Sequence, residues 1–146
     1  MSTKLSVLLK NKGNAIFSLS PDDTVINCVK QMSEKHIGAV LILEQDKLVG
    51  IVSERDISYK IVLEERDPKE ATVSEIMTKE ILTVTPSCTV EAAMQIMTGK
   101  RFRHLPVVDD GALVGLISIG DVTKHTCDTQ QEHIDHLQSY INGEYS

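Results

Sequence analysis

Two tetrapeptides, Ser53-Glu54-Arg55-Asp56 and Ser118-Ile119-Gly120-Asp121, each set a hydroxyl three residues ahead of a carboxylate, directly after an apolar run. An ionised carboxylate only accepts hydrogen bonds, and its two oxygens can receive both hydroxyls of a vicinal diol such as that of ribose. Such charge-assisted bonds contribute about 1.5 to 3 kcal/mol each when water is excluded. Where a strand hands over to a helix, free backbone N–H groups and the positive helix end favour an anion. The serine hydroxyl and these amides therefore suit a phosphate beside the sugar. Taken singly, each tetrapeptide is better explained as a serine N-cap with an acidic first turn, which needs no ligand. It is their recurrence in register that favours the ligand reading.

The register comes from an internal repeat. An offset of 65 residues carries Pro21 onto Pro86, Thr24 onto Thr89, Met32 onto Met97, Lys35 onto Lys100, Gly50 onto Gly115, Ser53 onto Ser118 and Asp56 onto Asp121 without a gap. After each proline a threonine suited to N-capping precedes apolar residues at helical spacing, Val25, Val29 and Met32 in one copy and Val90, Met94 and Met97 in the other. An apolar run (39–43 or 105–108), an acidic turn (44–47 or 109–112) and a second apolar run through Val52 or Ile117 then read as a β-hairpin. The pattern turns helical again beyond each Ser-x-x-Asp, with Ile57, Ile61 and Val62 in the first copy and from Val122 in the second. Each copy is thus predicted to be a β-α-β-β-α unit.

These signals divide the chain into an N-terminal helix (1–14), a first unit (15–64), a charged and proline-broken connector (65–79), a second unit (80–128) and a helical extension (129–146). The N-terminal helix rests on Leu5, Val7, Leu8 and Leu9, with Gly13 as its expected end. In the extension, Ile134, Leu137 and Ile141 keep helical spacing and Gly143 is the expected stop.

Composition narrows the partners. With 41% hydrophobic residues but only 3% aromatics and no Trp, the core must be aliphatic. Fifteen Lys and Arg against twenty-one Asp and Glu leave a net charge of −6, which disfavours nucleic acid as a partner. One small phosphate ligand needs only a local basic patch, and Lys100, Arg101, Arg103 and His104 form the densest one; its other reading is a solvated helix C-terminus. No run approaches the roughly 20 apolar residues of a membrane helix, and the N-terminus lacks a secretory pattern, so a cytoplasmic protein without a membrane partner is expected. Cys28, Cys88 and Cys127 fit neither a disulfide framework nor a metal pair. Cys28 and Cys88 are expected on helices, facing inward as inert thiols. His125-x-Cys127 and His133-x-x-His136 lack a tight ligand pair, and no nucleophile elbow, P-loop or zinc-protease motif is present. No metal site and no catalytic residue are therefore expected, and the chain is read as a non-enzyme.

The segments Leu48-Val49-Gly50-Ile51-Val52-Ser53-Glu54-Arg55-Asp56, Lys100-Arg101-Phe102-Arg103-His104-Leu105-Pro106-Val107-Val108 and Leu113-Val114-Gly115-Leu116-Ile117-Ser118-Ile119-Gly120-Asp121 resemble those of a tandem cystathionine-β-synthase (CBS) domain pair. The likeness extends over about residues 15–124. Short stand-alone bacterial CBS-pair proteins are the most similar, including a connector that ends in Val73-Ser74-Glu75-Ile76-Met77-Thr78. The resemblance implies an α+β fold of two β-α-β-β-α CBS units stacked with pseudo-twofold symmetry, pairing into a homodimer. It implies a regulatory module that binds AMP, ADP, ATP, NAD or another adenine nucleotide and passes a conformational change to an unknown protein effector. It further implies ribose and phosphate contacts from Ser53, Arg55, Asp56, Ser118, Gly120 and Asp121, and phosphate contacts from Arg103 and His104. Purine contacts are implied for Ile16, Phe17, Ser18, Gly38, Ala39, Leu82, Thr83, Val84 and Pro106. The first copy departs from the family pattern, because Gly38 and Ala39 stand where the second has Arg103 and His104. The two clefts are thus expected to be unequal, with Gly38 and Ala39 admitting a ring close to the backbone and Arg103 and His104 supplying charge, even across the pseudo-twofold. Whether one cleft or both fill stays open, and the rival reading is a ligand-free interaction or dimerisation module.

Overall fold

Alternating helical and two-residue periodicities resolve, in a computed structural model that describes residues 3–12 and 16–141, into eleven named elements. They are α1 (Leu5–Lys12), β1 (Ser18–Leu19), α2 (Val25–Lys35), β2 (Ala39–Glu44), β3 (Lys47–Ser53), α3 (Glu54–Ile57), α4 (Val73–Ile76), α5 (Val90–Lys100), β4 (His104–Asp109), β5 (Ala112–Ser118) and α6 (Ile119–Ile141). The fold is mixed α+β, with two small sheets. Its described residues form two compact units, one of 16–83 and 110–114, the other of 3–12, 84–109 and 115–141. Gly13 and Gly143 lie outside the described residues.

Local chemistry sets the element ends. Thr24 accepts from the N–H of Asn27 at 3.3 Å and Thr89 from that of Ala92 at 3.1 Å, so both threonines cap their helices. Both helices end on a left-handed residue, His36 (φ 55°) and Arg101 (φ 60°). The hairpin turns are two residues long with positive φ throughout, Gln45 (51°) and Asp46 (63°) in one, Asp110 (51°) and Gly111 (81°) in the other. That backbone matches the twist of the flanking strands.

In the first unit, β1 runs parallel to β2 (Ser18 beside Leu41) and β2 antiparallel to β3 (Ala39 beside Ser53). Beyond α3 the chain makes one wider turn over Ser58–Val62, in which the Leu63 N–H reaches Ser58 O at 2.9 Å. The core gathers Val25, Cys28, Met32, Val40, Ile42, Val52 and Ile61 with Ala71, Val73 and Ile76. The last three lie in the segment read as connector, and they enter because Val25 N–H donates to Ala71 O (2.9 Å) and Val73 N–H to Asp23 O (2.8 Å). The charged residues before them remain a turn-rich link.

The second unit repeats this plan with a different piece of chain. Val90 N–H donates to Thr3 O (2.8 Å), Leu5 N–H to Cys88 O (2.8 Å) and Ser6 N–H to Pro86 O (3.0 Å). Thr3 to Ser6 therefore do for the second repeat what Ala71 to Ser74 do for the first. Leu5, Leu8 and Leu9 of α1 are buried, as are Val84, Val90, Ala93, Met97, Leu105, Val107, Ile117 and Val122. The strand expected at Leu82 to Val84 is reduced to a single parallel bridge between Val84 and Val107. Cys88 is partly buried and sits before α5 rather than on it, since the Thr89 cap starts the helix one residue later. Beyond Thr126, α6 is almost wholly exposed, including Ile134, Leu137, Tyr140 and Ile141. Among the described residues no helix is long and apolar enough to cross a membrane.

Candidate functional site

Both Ser-x-x-Asp elements stand where the sequence predicts, at the junction of a hairpin's second strand with a helix. In the first unit Ser53 closes β3, and its hydroxyl accepts from the Asp56 N–H at 3.3 Å. The Asp56 carboxylate returns the bond, with Oδ2 accepting from Ser53 N–H (2.9 Å) and Ser53 Oγ (3.1 Å). Its Oδ1 accepts from Lys60 Nζ (2.9 Å) and Thr78 Oγ1 (3.1 Å). Lys60 Nζ also donates to Ile76 O at 2.8 Å, which ties α4 to this corner. Asp56 is only 6% exposed.

In the second unit Ser118 and Asp121 repeat the reciprocal cap, at 2.8 Å from Ser118 N–H to Asp121 Oδ2 and 3.1 Å from Asp121 N–H to Ser118 Oγ. The cation here is Lys12, at the end of α1, with Nζ 2.8 Å from Asp121 Oδ2 and 2.7 Å from Leu116 O. Among the described residues no hydrogen bond reaches Asp121 Oδ1. The pair is more open, with the lysine and aspartate side chains 41% and 26% exposed. Burial pushes the Asp121 carboxyl up. The Lys12 and Ser118 hydrogen bonds and the Lys12 charge outweigh it, holding the group below the ordinary carboxylate value.

The other residues named from the sequence lie on the strands, loops and helix starts of the two repeats. In the first, Gly38 O accepts from Glu54 N–H (3.2 Å), Ala39 pairs with Ser53, and Arg55 is exposed. Ile16, Phe17 and Ser18 are partly buried; Phe17 O accepts from Leu41 N–H at 3.4 Å, and Lys35 Nζ lies 5.3 Å above the Phe17 ring. In the second unit, Arg103 O accepts from Ile119 N–H (2.8 Å), Arg103 is exposed and His104, partly buried, opens β4. Gly120 is exposed too, and a Cβ built on it would have Ser118 Oγ as its near neighbour at 3.5 Å. Pro106 is buried and its carbonyl accepts from Val84 N–H at 3.0 Å.

Strand pairing refines one correspondence. Leu19 pairs with Ile42 and Val84 with Val107, so Val84 is the counterpart of Leu19. Leu82 and Thr83, both exposed, then match Phe17 and Ser18, and Ile81 rather than Val84 matches Ile16. Val84 is a core residue with both backbone groups engaged. Two cationic neighbours of the carboxylates, and Thr78 beside Asp56, were not singled out from sequence. Lys60 had a readable signal, the i, i+4 spacing from Asp56 on a helix; Lys12, 109 residues from Asp121, had none.

Two β-α-β-β-α repeats, each with a Ser-x-x-Asp corner, define a class of tandem regulatory module. The sequence profile of the CBS domain matches residues 14–63 and 73–127, and the chain belongs to the CBS-domain family. It is 39% identical over 153 aligned residues to the CBS domain-containing protein CBSX3, mitochondrial, of Arabidopsis thaliana, spanning 99% of this chain and 74% of that protein. A solved CBS-domain protein of Burkholderia ambifaria, described as a candidate signal-transduction protein, superimposes with a TM-score of 0.82 at 44% identity, covering 85% of this chain and 93% of that one. The hexameric CBS-CP12 protein of bloom-forming cyanobacteria superimposes with a TM-score of 0.77 at 27% identity, covering 98% and 87%.

Proposed function

We propose that this chain is a cytoplasmic, non-catalytic sensor of an adenine nucleotide, AMP, ADP, ATP or NAD, which passes ligand binding to a protein effector as a conformational change. The observation that carries this reading is the duplicated carboxylate at a strand-to-helix corner, aligned by its own serine and close to backbone able to meet phosphate. CBS domains typically bind adenine nucleotides, which supports the choice of ligand. Arg103 and the open backbone at Gly120 would meet phosphate beside Asp121, with His104 adjoining. Ile16, Phe17, Ser18, Gly38 and Ala39 would line the purine side of the first corner, and Pro106 would serve the second. A homodimer is part of the reading, supported by the exposed apolar side chains of Tyr59, Val62 and Leu63.

Calorimetric titration of AMP, ADP, ATP and NAD into the parent chain tests it, with Asp121→Ala as the control. Saturable binding of one nucleotide, lost in the variant, is the expected result. Heats no larger than dilution for all four compounds would sink it.

A second reading, a ligand-free interaction module, is favoured by one observation. Both carboxylates already have cationic partners within the chain, so the corners are stable without a ligand. Light scattering that shows an unaltered dimer, with none of the four nucleotides raising the melting temperature, would support it.

A further inference from the structure

The two corners differ in what a ligand must displace. At Asp56 both carboxylate oxygens carry two hydrogen bonds, the group is 6% exposed, and Lys60 and Thr78 hold Oδ1. A ribose diol arriving there would have to part Oδ1 from both, on a carboxylate side chain only 8% exposed against 26% at Asp121, although Lys60 itself is as exposed as Lys12. At Asp121 one oxygen is open among the described residues, and the other is shared by Ser118 N–H and Lys12 Nζ. Exposed pairs of this kind shift an equilibrium by a factor of only about two to five. The contact that closes this corner is therefore weak enough for a ligand to replace.

Lys12 ends α1, an eight-residue helix anchored through Leu5, Leu8 and Leu9 and the bond from Leu5 N–H to Cys88 O. Beyond Leu9 the helix is exposed at Lys10, Asn11 and Lys12, and Lys12 ties this end down through Asp121 Oδ2 at 2.8 Å and Leu116 O at 2.7 Å. We infer that nucleotide binds at the Asp121 corner by displacing Lys12, so that Lys12 is a built-in competitor and the end of α1 is released when the site fills. This rests on the nucleotide reading above and deepens it: one of the two corners responds to ligand, and the N-terminal helix is the element that reports it. A partner reading the occupied state would find the change at the end of α1.

The test pairs calorimetry with hydrogen exchange on the full chain, using AMP, ADP, ATP and NAD as probes against the parent and Lys12→Met. The variant keeps the apolar stem of an exposed side chain, and its circular dichroism melt checks that it folds. Removing the competitor should tighten the best-bound nucleotide by about two- to fivefold, at one nucleotide per chain. In the parent, saturating nucleotide should speed exchange at the end of α1; in the variant that increment should vanish. Unchanged or weaker binding by Lys12→Met, two nucleotides per chain, or slower exchange at α1 would each overturn the inference while leaving the nucleotide reading intact. Failure of every nucleotide to bind either protein would overturn both.

Discussion

Asp56 and Asp121 arise from one repeated tetrapeptide, yet their surroundings give them different work. Asp56 closes a network of Ser53, Lys60 and Thr78 that joins β3 to the segment following α4. Its replacement by Ala strips the bonds from Ser53 N–H, Ser53 Oγ and Thr78 Oγ1 and leaves Lys60 without its anion, so a loss of about 1 to 3 kcal/mol is expected in urea unfolding. The same change at Asp121 should cost less, because that ion pair is solvent-screened. Equal losses would contradict this ranking. Acid titration tests Asp121 by itself. A carboxyl whose folded pKa lies below its unfolded value contributes stability above the unfolded value, and loses it as pH falls through the folded one. Asp121 is such a group. Stability measured from neutral pH down through the ordinary carboxylate value of 3.8 should therefore fall, and Lys12→Met should flatten part of that fall. Cys28 needs no such test of role: burial first, then the charges of Asp23 and Asp56, push its thiol up to about 11, which suits an inert core position.

At the scale of elements, the two glycines in the second strands of the hairpins show how α1 and α4 are seated. A Cβ on Gly50 would meet Met77 from its sulfur back to Cγ at 2.7 Å and Cβ at 3.0 Å, so the end of α4 itself would have to move. On Gly115 it would meet Leu9 at Cδ2, the far end of a side chain, with Cδ1 and Cγ at 3.4 Å. Gly50→Ala is therefore expected to cost about 1 to 3 kcal/mol, the usual range for overpacking, and Gly115→Ala less, because Leu9 can change rotamer. Thermal melts of the two variants decide it; a larger drop for Gly115→Ala would mean that α1 is seated more rigidly than Leu9 alone suggests. The helix caps and hairpin turns around these positions were legible in the sequence, since Thr24, Thr89 and the short acidic turns act on neighbours a few residues away. Where local pattern failed, it was at Leu82 to Val84, whose pairing depends on a partner strand more than twenty residues on, and at Cys88, whose place was set by the cap beside it.

For the whole molecule, each repeat is completed by a segment from outside it. Residues 71–76 complete the first, and residues 3–9 the second. Burying a leucine contributes about 1.5 to 3 kcal/mol, and three of them, even discounted for residual burial in the unfolded chain, are comparable with the 5 to 15 kcal/mol that stabilises a typical domain. Deleting residues 1–12 should therefore remove amide protection from α5, β4 and β5, as read by hydrogen exchange. Protection that survives in these elements would mean that α1 is an accessory.

Sequence alone determined the duplication, the order of the capped helices and hairpin strands and the chemical type of the two corners, because each is written in residues close together along the chain or repeated at a constant offset. Tertiary structure alone decided which segment completes which core and which cation faces which carboxylate. Those depend on backbone bonds and ion pairs between residues as far apart as Lys12 and Asp121, where folding brings together groups that no local periodicity relates.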